Sequence, residues 1–332
     1  MEFSGNIYYN GKLRRGTLKV DDTGESFSNK TGNTNHGTLI PMPVNAHTHV
    51  GDSFINEEPK GTLPEIVGPD GLKHRFLDNA DDNEVINYIS KTNNFMEKNG
   101  TISYFDFREN GLKGINMIKR GNKKFIKPVI FARPYNNDDI NKIIDNSNGV
   151  GISSISDMDY DDIYDVSIKT HKKNKIFALH FSENINEDID KVMNLKPDLL
   201  IHGIEANDTD LDIIGKNNVS IVITPRSNIF YGKRPDYNKF LKHNINLMLG
   251  TDNVFVTEPD IFSEMDFLYR YQRFLNYVSP ENILKMVIDN PYTFLKKNNI
   301  KIKKRYLFFK NELLNEYQLV TKKHYFNPVK IL

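Results

Sequence analysis

The chain has 332 residues, with 44 Lys and Arg against 43 Asp and Glu, so no strong net field is present to recruit nucleic acid or an anionic membrane. It contains no cysteine, which excludes disulfides, thiol nucleophiles, thiolate metal sites and the His-x-Glu with Pro-Cys-x-x-Cys signature. No stretch nears the roughly 18 apolar residues of a membrane span, and Met1-Glu2-Phe3-Ser4-Gly5-Asn6 lacks the basic and apolar regions of a signal peptide. A cytoplasmic protein with a small-molecule substrate is expected, with neither nucleic acid nor membrane as partner; a homo-oligomer is compatible with this reading.

In chain order, residues 6–9 and 17–20 read as strands around Asn10-Gly11, a hairpin dipeptide. Short apolar runs then alternate with amphipathic stretches up to about Asp252. The runs are 39–46, 101–107, 127–132, 149–155, 175–180, 198–202, 219–224 and 246–251, the pattern of consecutive βα units. Helices are predicted over 82–99, 161–173, 207–216 and 259–276. The first carries Val85, Tyr88, Ile89, Thr92, Phe95 and Met96 on its core face and stops at Gly100; the last carries Phe262, Met265, Leu268, Tyr271 and Leu275. Ser279-Pro280 begins a further helix, as cap and first helical residue. Residues 306–309 and 318–321 read as strands. The expected architecture is a (β/α)8 TIM-like barrel over 39–302, with a small β subdomain formed by both termini, 1–38 plus 303–332. Residues 51–81 form a long loop on the barrel face where substrates enter. Within it Lys73-His74-Arg75 is either a solvated turn or, through Lys73 and His74, a substrate contact.

Chemistry-bearing residues end these apolar runs. His47-Thr48-His49 closes the first, and two imidazoles two positions apart on a strand point to the same side and can grip one ion. His180, His202 and Asp252 end or follow three more, at the strand ends where a barrel keeps its site. Arg108, Arg133 and Arg226 follow other strands on that face. They read as a clamp for an anionic substrate group, or else as partners of nearby acids such as Asp106 or Glu109.

Five ordered segments carry a resemblance: Pro43-Val44-Asn45-Ala46-His47-Thr48-His49, Leu179-His180-Phe181-Ser182-Glu183, Ile201-His202-Gly203, Thr224-Pro225-Arg226-Ser227-Asn228 and Leu249-Gly250-Thr251-Asp252-Asn253. Together they resemble the metal-dependent amidohydrolase superfamily, in its mononuclear deaminase and chlorohydrolase branch that includes cytosine and guanine deaminases. The resemblance implies that His47, His49, His180 and Asp252 bind one divalent metal ion per chain, zinc or iron. It also implies that Glu183 shuttles protons, that His202 orients the attacking water, and that Asp252 accepts a proton while ligating. Binuclear members place a carboxylated lysine or a glutamate at the end of the third or fourth strand; Phe131-Ala132-Arg133 and Gly149-Val150-Gly151-Ile152 offer neither. The expected function is deamination of a nitrogen heterocycle, nucleobase-like and with room for an anionic group. The alternatives are ring opening of a cyclic amide, as in imidazolonepropionase, and a non-catalytic binding scaffold.

Overall fold

The computed structural model describes residues 1–21, 24–32, 34–122, 125–135 and 138–331. Its barrel strands are β5 (Val44–His49), β6 (Ser103–Arg108), β7 (Lys127–Ala132), β8 (Gly149–Ile152), β9 (Ile176–Phe181), β10 (Leu199–His202), β11 (Ser220–Ile223), β12 (Asn246–Leu249) and the short β13 (Asp252–Asn253). They lie in sequence order, each parallel to the next, with β13 returning beside β5. Closure rests on the segment from β12 to β13. Gly250 N donates to Ile223 O at 3.0 Å on one side, and Thr251 N donates to His47 O at 3.0 Å on the other. A β-carbon at Gly250 would lie 2.6 Å from the His47 backbone nitrogen, so only glycine lets the two strands approach. These strands are buried on both faces, as expected of a parallel sheet covered by helices.

The second sheet joins both ends of the chain. Its strands are β1 (Glu2–Tyr9), β2 (Lys12–Asp21), β3 (Gly24–Ser28), β4 (His36–Pro41), β14 (Tyr306–Lys310) and β15 (Val329–Ile331), in the order β15-β14-β4-β1-β2-β3. Asn10 and Gly11 both take positive φ, as a two-residue turn between twisted strands requires. The run 39–46 is therefore two strands. Leu39 pairs with Ile7 and Phe308 in the terminal sheet, and the chain enters the barrel only at Val44, after Pro43, which lacks the N–H needed to continue a ladder.

The connecting helices include α1 (Leu63–Val67), α2 (Leu72–Asn79), α3 (Asp82–Lys98), α4 (Gly111–Gly121), α5 (Ile140–Asn146), α6 (Tyr160–Lys172), α7 (Ile189–Asn194), α8 (Asp208–Lys216), α9 (Pro225–Phe230), α10 (Asn238–Leu241), α11 (Ile261–Gln272), α12 (Pro280–Val287), α13 (Asp289–Lys297) and α14 (Glu316–Thr321). No described helix is long and apolar enough to cross a membrane. Residues 51–81 are thus no bare loop, since they hold α1 and α2. Residues 318–321 are helical, because Asn315 and Gln318 cap one another reciprocally and the Leu319-Val320 pair is buried as a helix face. Phe95 is 39% exposed and Leu275, past the end of α11, is 57% exposed, so neither belongs to the predicted core stripes.

Candidate active site

Asn45, His47 and His49 of β5 all meet the closing segment at Thr251 and Asp252, although the pairing of β5 with β6 shifts register between Asn45 and Thr48. Asn45 staples the closing segment, donating to Thr251 Oγ1 at 2.7 Å and accepting from Thr251 N at 3.1 Å. His47 and His49 then face Asp252, whose Oδ1 is 3.2 Å from His47 Nε2 and 3.5 Å from His49 Nε2. His180, ending β9, brings its ring centroid to 5.0 Å from that of His47 and 5.6 Å from that of His49. The buried ring of Phe107 packs edge-on against His47 and His180 and forms an apolar wall. Ser182, His202 and Asp252, all at strand ends, take φ of 44°, 72° and 67°. Such backbone costs on the order of 1–3 kcal/mol per residue and clusters where side chains must be aimed.

Hydrogen bonds decide what each imidazole offers. His49 Nδ1 lies 2.9 Å from Glu109 Oε1 and 3.1 Å from Lys73 Nζ; the closer partner is a carboxylate that can only accept, so we place the proton on Nδ1, which leaves Nε2 a lone pair. His180 Nδ1 likewise donates to the Ile152 carbonyl at 3.0 Å. Neither nitrogen of fully buried His47 makes a well-directed hydrogen bond, and the one polar contact of its ring is Nε2 with Asp252 Oδ1. Asp252 Oδ2 is held by the Ser227 hydroxyl at 2.6 Å, which leaves Oδ1 to the histidines. Donor atoms of His47, His49 and Asp252 lie within 4.8 Å of one another, as do those of His47, His180 and His202. Three imidazole nitrogens, among them that of His47, and one carboxylate oxygen fit a divalent metal of the zinc or iron type.

His202 differs from the other three. Tyr237 donates to Asn228 Oδ1 at 3.0 Å, which turns the Asn228 amide nitrogen toward His202 Nδ1, 3.3 Å away. Nδ1 is thereby an acceptor, so Nε2 carries the hydrogen and points to Glu183 Oε2 at 3.4 Å. Burial lowers the His202 pKa to about 3, keeping this donor neutral. Burial, reinforced by the charge of Asp252, pushes the Glu183 carboxyl well above its ordinary range. Asp252 is held well below that range, because the surrounding imidazoles outweigh its burial. Two carboxyls pushed apart in this way suit proton transfer beside a charged ligand.

No family model matches the chain. An uncharacterized protein of Methanocaldococcus jannaschii is 31% identical over 319 residues, covering 87% of this chain and 83% of that protein. A provisionally named aminohydrolase of Archaeoglobus fulgidus is 28% identical over 268 residues, covering 80% and 78%. Among solved structures, the zinc complex of atrazine chlorohydrolase from Arthrobacter aurescens TC1 matches with a TM-score of 0.76 at 9% identity, covering 96% of this chain and 90% of that one. Guanine deaminase from C. acetobutylicum with bound guanine matches with a TM-score of 0.70 at 16% identity, covering 98% and 96%. The chain thus has the fold of these solved hydrolases and is related in sequence to a protein named as an aminohydrolase.

The cluster opens into a cavity of about 500 Å³. Leu63, Pro64 and Val67 of the α1 region wall one side, with Pro134, Met158 and Ile185 among the apolar groups elsewhere. Lys73, His74 and Arg133 also line it. Burial, then the neighbouring Lys73 charge, lowers the His74 pKa. Arg133 has no acidic partner among the described residues. The structure does not bring the other two arginines to the cavity. Arg108 is fully buried, its Nη2 donating to Glu109 Oε2 at 3.0 Å with Asp106 beyond. Arg226 is spent on Glu264 at 2.6 Å and Glu258 at 2.8 Å. Among the described residues, none of the candidate metal clusters includes a residue of β7 or β8.

Several residues with evident work were given no role from the sequence: Ser227, Asn228, Thr224, Tyr237 and Glu187, which accepts from Ser182 N at 2.7 Å and so braces the end of β9; Glu109 was expected only as an arginine partner, not as the partner of His49. Thr224, Ser227 and Asn228 lie in a segment that carried the resemblance, so a signal for them existed. For Tyr237 and Glu187 there was none, because their partners are fixed only by the fold.

Proposed function

We propose that the protein is a metal-dependent deaminase of a nitrogen heterocycle, holding one zinc or iron ion per chain on His47, His49, His180 and Asp252. The convergence of three lone-pair-bearing imidazoles and Asp252 beside an acid with a raised pKa carries this reading. When bound, the ion lowers the pKa of water toward neutrality and polarises the carbon under attack. Glu183 takes the proton from water at Oε2 and delivers it to the ring or departing nitrogen. His202 donates from Nε2 and orients the attacking oxygen, while Asp252 accepts the remaining proton. Likeness to a guanine deaminase supports a planar heterocycle as substrate. The cavity volume exceeds what a bare bicyclic base fills, since pockets of roughly 300–1,000 Å³ hold drug-sized ligands. Arg133, with His74 nearby, is the cation available for an anionic substituent, because Arg108 and Arg226 are already paired.

Zinc-loaded protein screened against amino-substituted pyrimidines, purines and pterins, with and without a carboxylate, should release about one ammonia per turnover. An active substrate that gains one water and releases no ammonia would move the assignment to cyclic-amide ring opening.

A further inference from the structure

Behind His49 lies a buried ionic cluster that the reaction itself does not use. Lys73, from α2, is 3% exposed; Glu109, just after β6, is 2% exposed; Arg108, Asp52 and Asp106 are fully buried. Lysines and carboxylates are almost never fully buried unless paired. Lys73 Nζ bonds Glu109 Oε1, the same oxygen that accepts from His49 Nδ1, and it lies 3.1 Å from that nitrogen and 3.9 Å from Asp52 Oδ2. Arg108 holds the other oxygen of Glu109. Asp52 in turn accepts from Asn253 Nδ2 at 2.8 Å and Val254 N at 3.0 Å, the residues that follow Asp252.

We infer that Lys73 is a positioning residue: carried in by α2, it holds the Glu109 carboxylate that fixes the proton on His49 Nδ1 and so aims Nε2 at the metal. The inference rests on the metal-site reading above. A direct substrate role for Lys73 fits less well, because its ammonium is committed to Glu109 while Arg133 has no acidic partner among the described residues. A carboxylate that orients a ligating histidine is typically worth 10–100-fold in metal affinity. Lys73 adds a consequence specific to this chain. It lies on the segment that also supplies Leu63, Pro64 and Val67 to the cavity wall, so seating that segment and orienting His49 become one event.

The experiment measures zinc affinity without substrate, by competition with a chromogenic chelator. Lys73→Met and Glu109→Gln should bind zinc roughly 10–100-fold more weakly than wild type, and Lys73→Arg, which keeps a cation in reach of Glu109, should recover most of the loss. The cobalt-loaded Lys73→Met variant should show a shifted visible spectrum. Variants that only melt earlier and bind zinc as wild type does would overturn the inference. Should Lys73→Met fail to fold, nitrogen NMR of wild-type His49 decides: a proton on Nδ1 supports it, and one on Nε2 overturns it. Wild type without zinc affinity overturns the metal reading as well, whereas zinc binding unaffected by either variant overturns this inference alone.

Discussion

The imidazoles at the site acquire different chemistry from which ring nitrogen is already engaged. His49 and His180 donate an Nδ1 hydrogen bond to a carboxylate and a carbonyl, which leaves the Nε2 lone pair available, whereas Asn228 makes His202 a donor. The pairs and spacings, His47-x-His49 and His180-x-x-Glu183, were legible in the sequence. The tautomers were not, because they depend on Ile152, Glu109 and Tyr237, which meet the rings only after folding. Glu183 is assigned to proton transfer and not to ligation, so Glu183→Gln should retain the metal while turnover falls roughly 10²-fold or more, the scale of general acid–base catalysis. Metal analysis alongside steady-state kinetics checks both halves. Loss of the metal would make Glu183 a ligand and reverse its role.

At the scale of elements, the barrel strands were readable because each is a short apolar run between amphipathic helices, and all eight runs occur as strands in the order expected. Two ambiguities could not be settled locally. Residues 39–43 satisfy either sheet until Pro43 is seen to separate them, and Leu319-Val320 suits a strand or a buried helix face equally. The arginines show the same limit: position after a strand places a residue near the catalytic face, but the partner comes from another element. Arg226, on α9, is tied to Glu264 on α11, a fully buried carboxylate. Arg226→Met strands that charge and should destabilise by about 3–5 kcal/mol, the cost of breaking a buried pair. Arg133→Met should leave thermal melting nearly unchanged while weakening binding of an anionic substrate by about 1.5–3 kcal/mol. Equal melting of both variants would remove the distinction drawn between a brace and a substrate contact.

For the molecule as a whole, the proposed metal site would act as a cross-link. The proposed ligands come from β5, from β9 across the barrel, and from the segment that closes β12 onto β5, so an ion bound there would join residues far apart in sequence and span the seam of the barrel. The terminal sheet secures the same seam from outside, since β4 pairs with β14 and leads directly into β5. Without metal, the cluster packs several unprotonated imidazoles and an ionised carboxylate with neither His47 nitrogen in a well-directed hydrogen bond, and a buried polar group without a partner costs about 1–3 kcal/mol. Binding should therefore stabilise the fold as well as supply the chemistry. An ion that binds only the native state at 100 times its dissociation constant contributes about 2.7 kcal/mol. With an unfolding entropy of about 2.1 cal/mol/K per residue, that corresponds in a chain of 332 residues to a rise of roughly 4 °C in melting temperature. Chelator-stripped protein titrated with zinc should show this rise, saturate near one ion per chain, and return to the stripped value on renewed chelation. Saturation at two ions would overturn the mononuclear assignment. No uptake and no shift would remove the donor set on which the proposed deaminase rests.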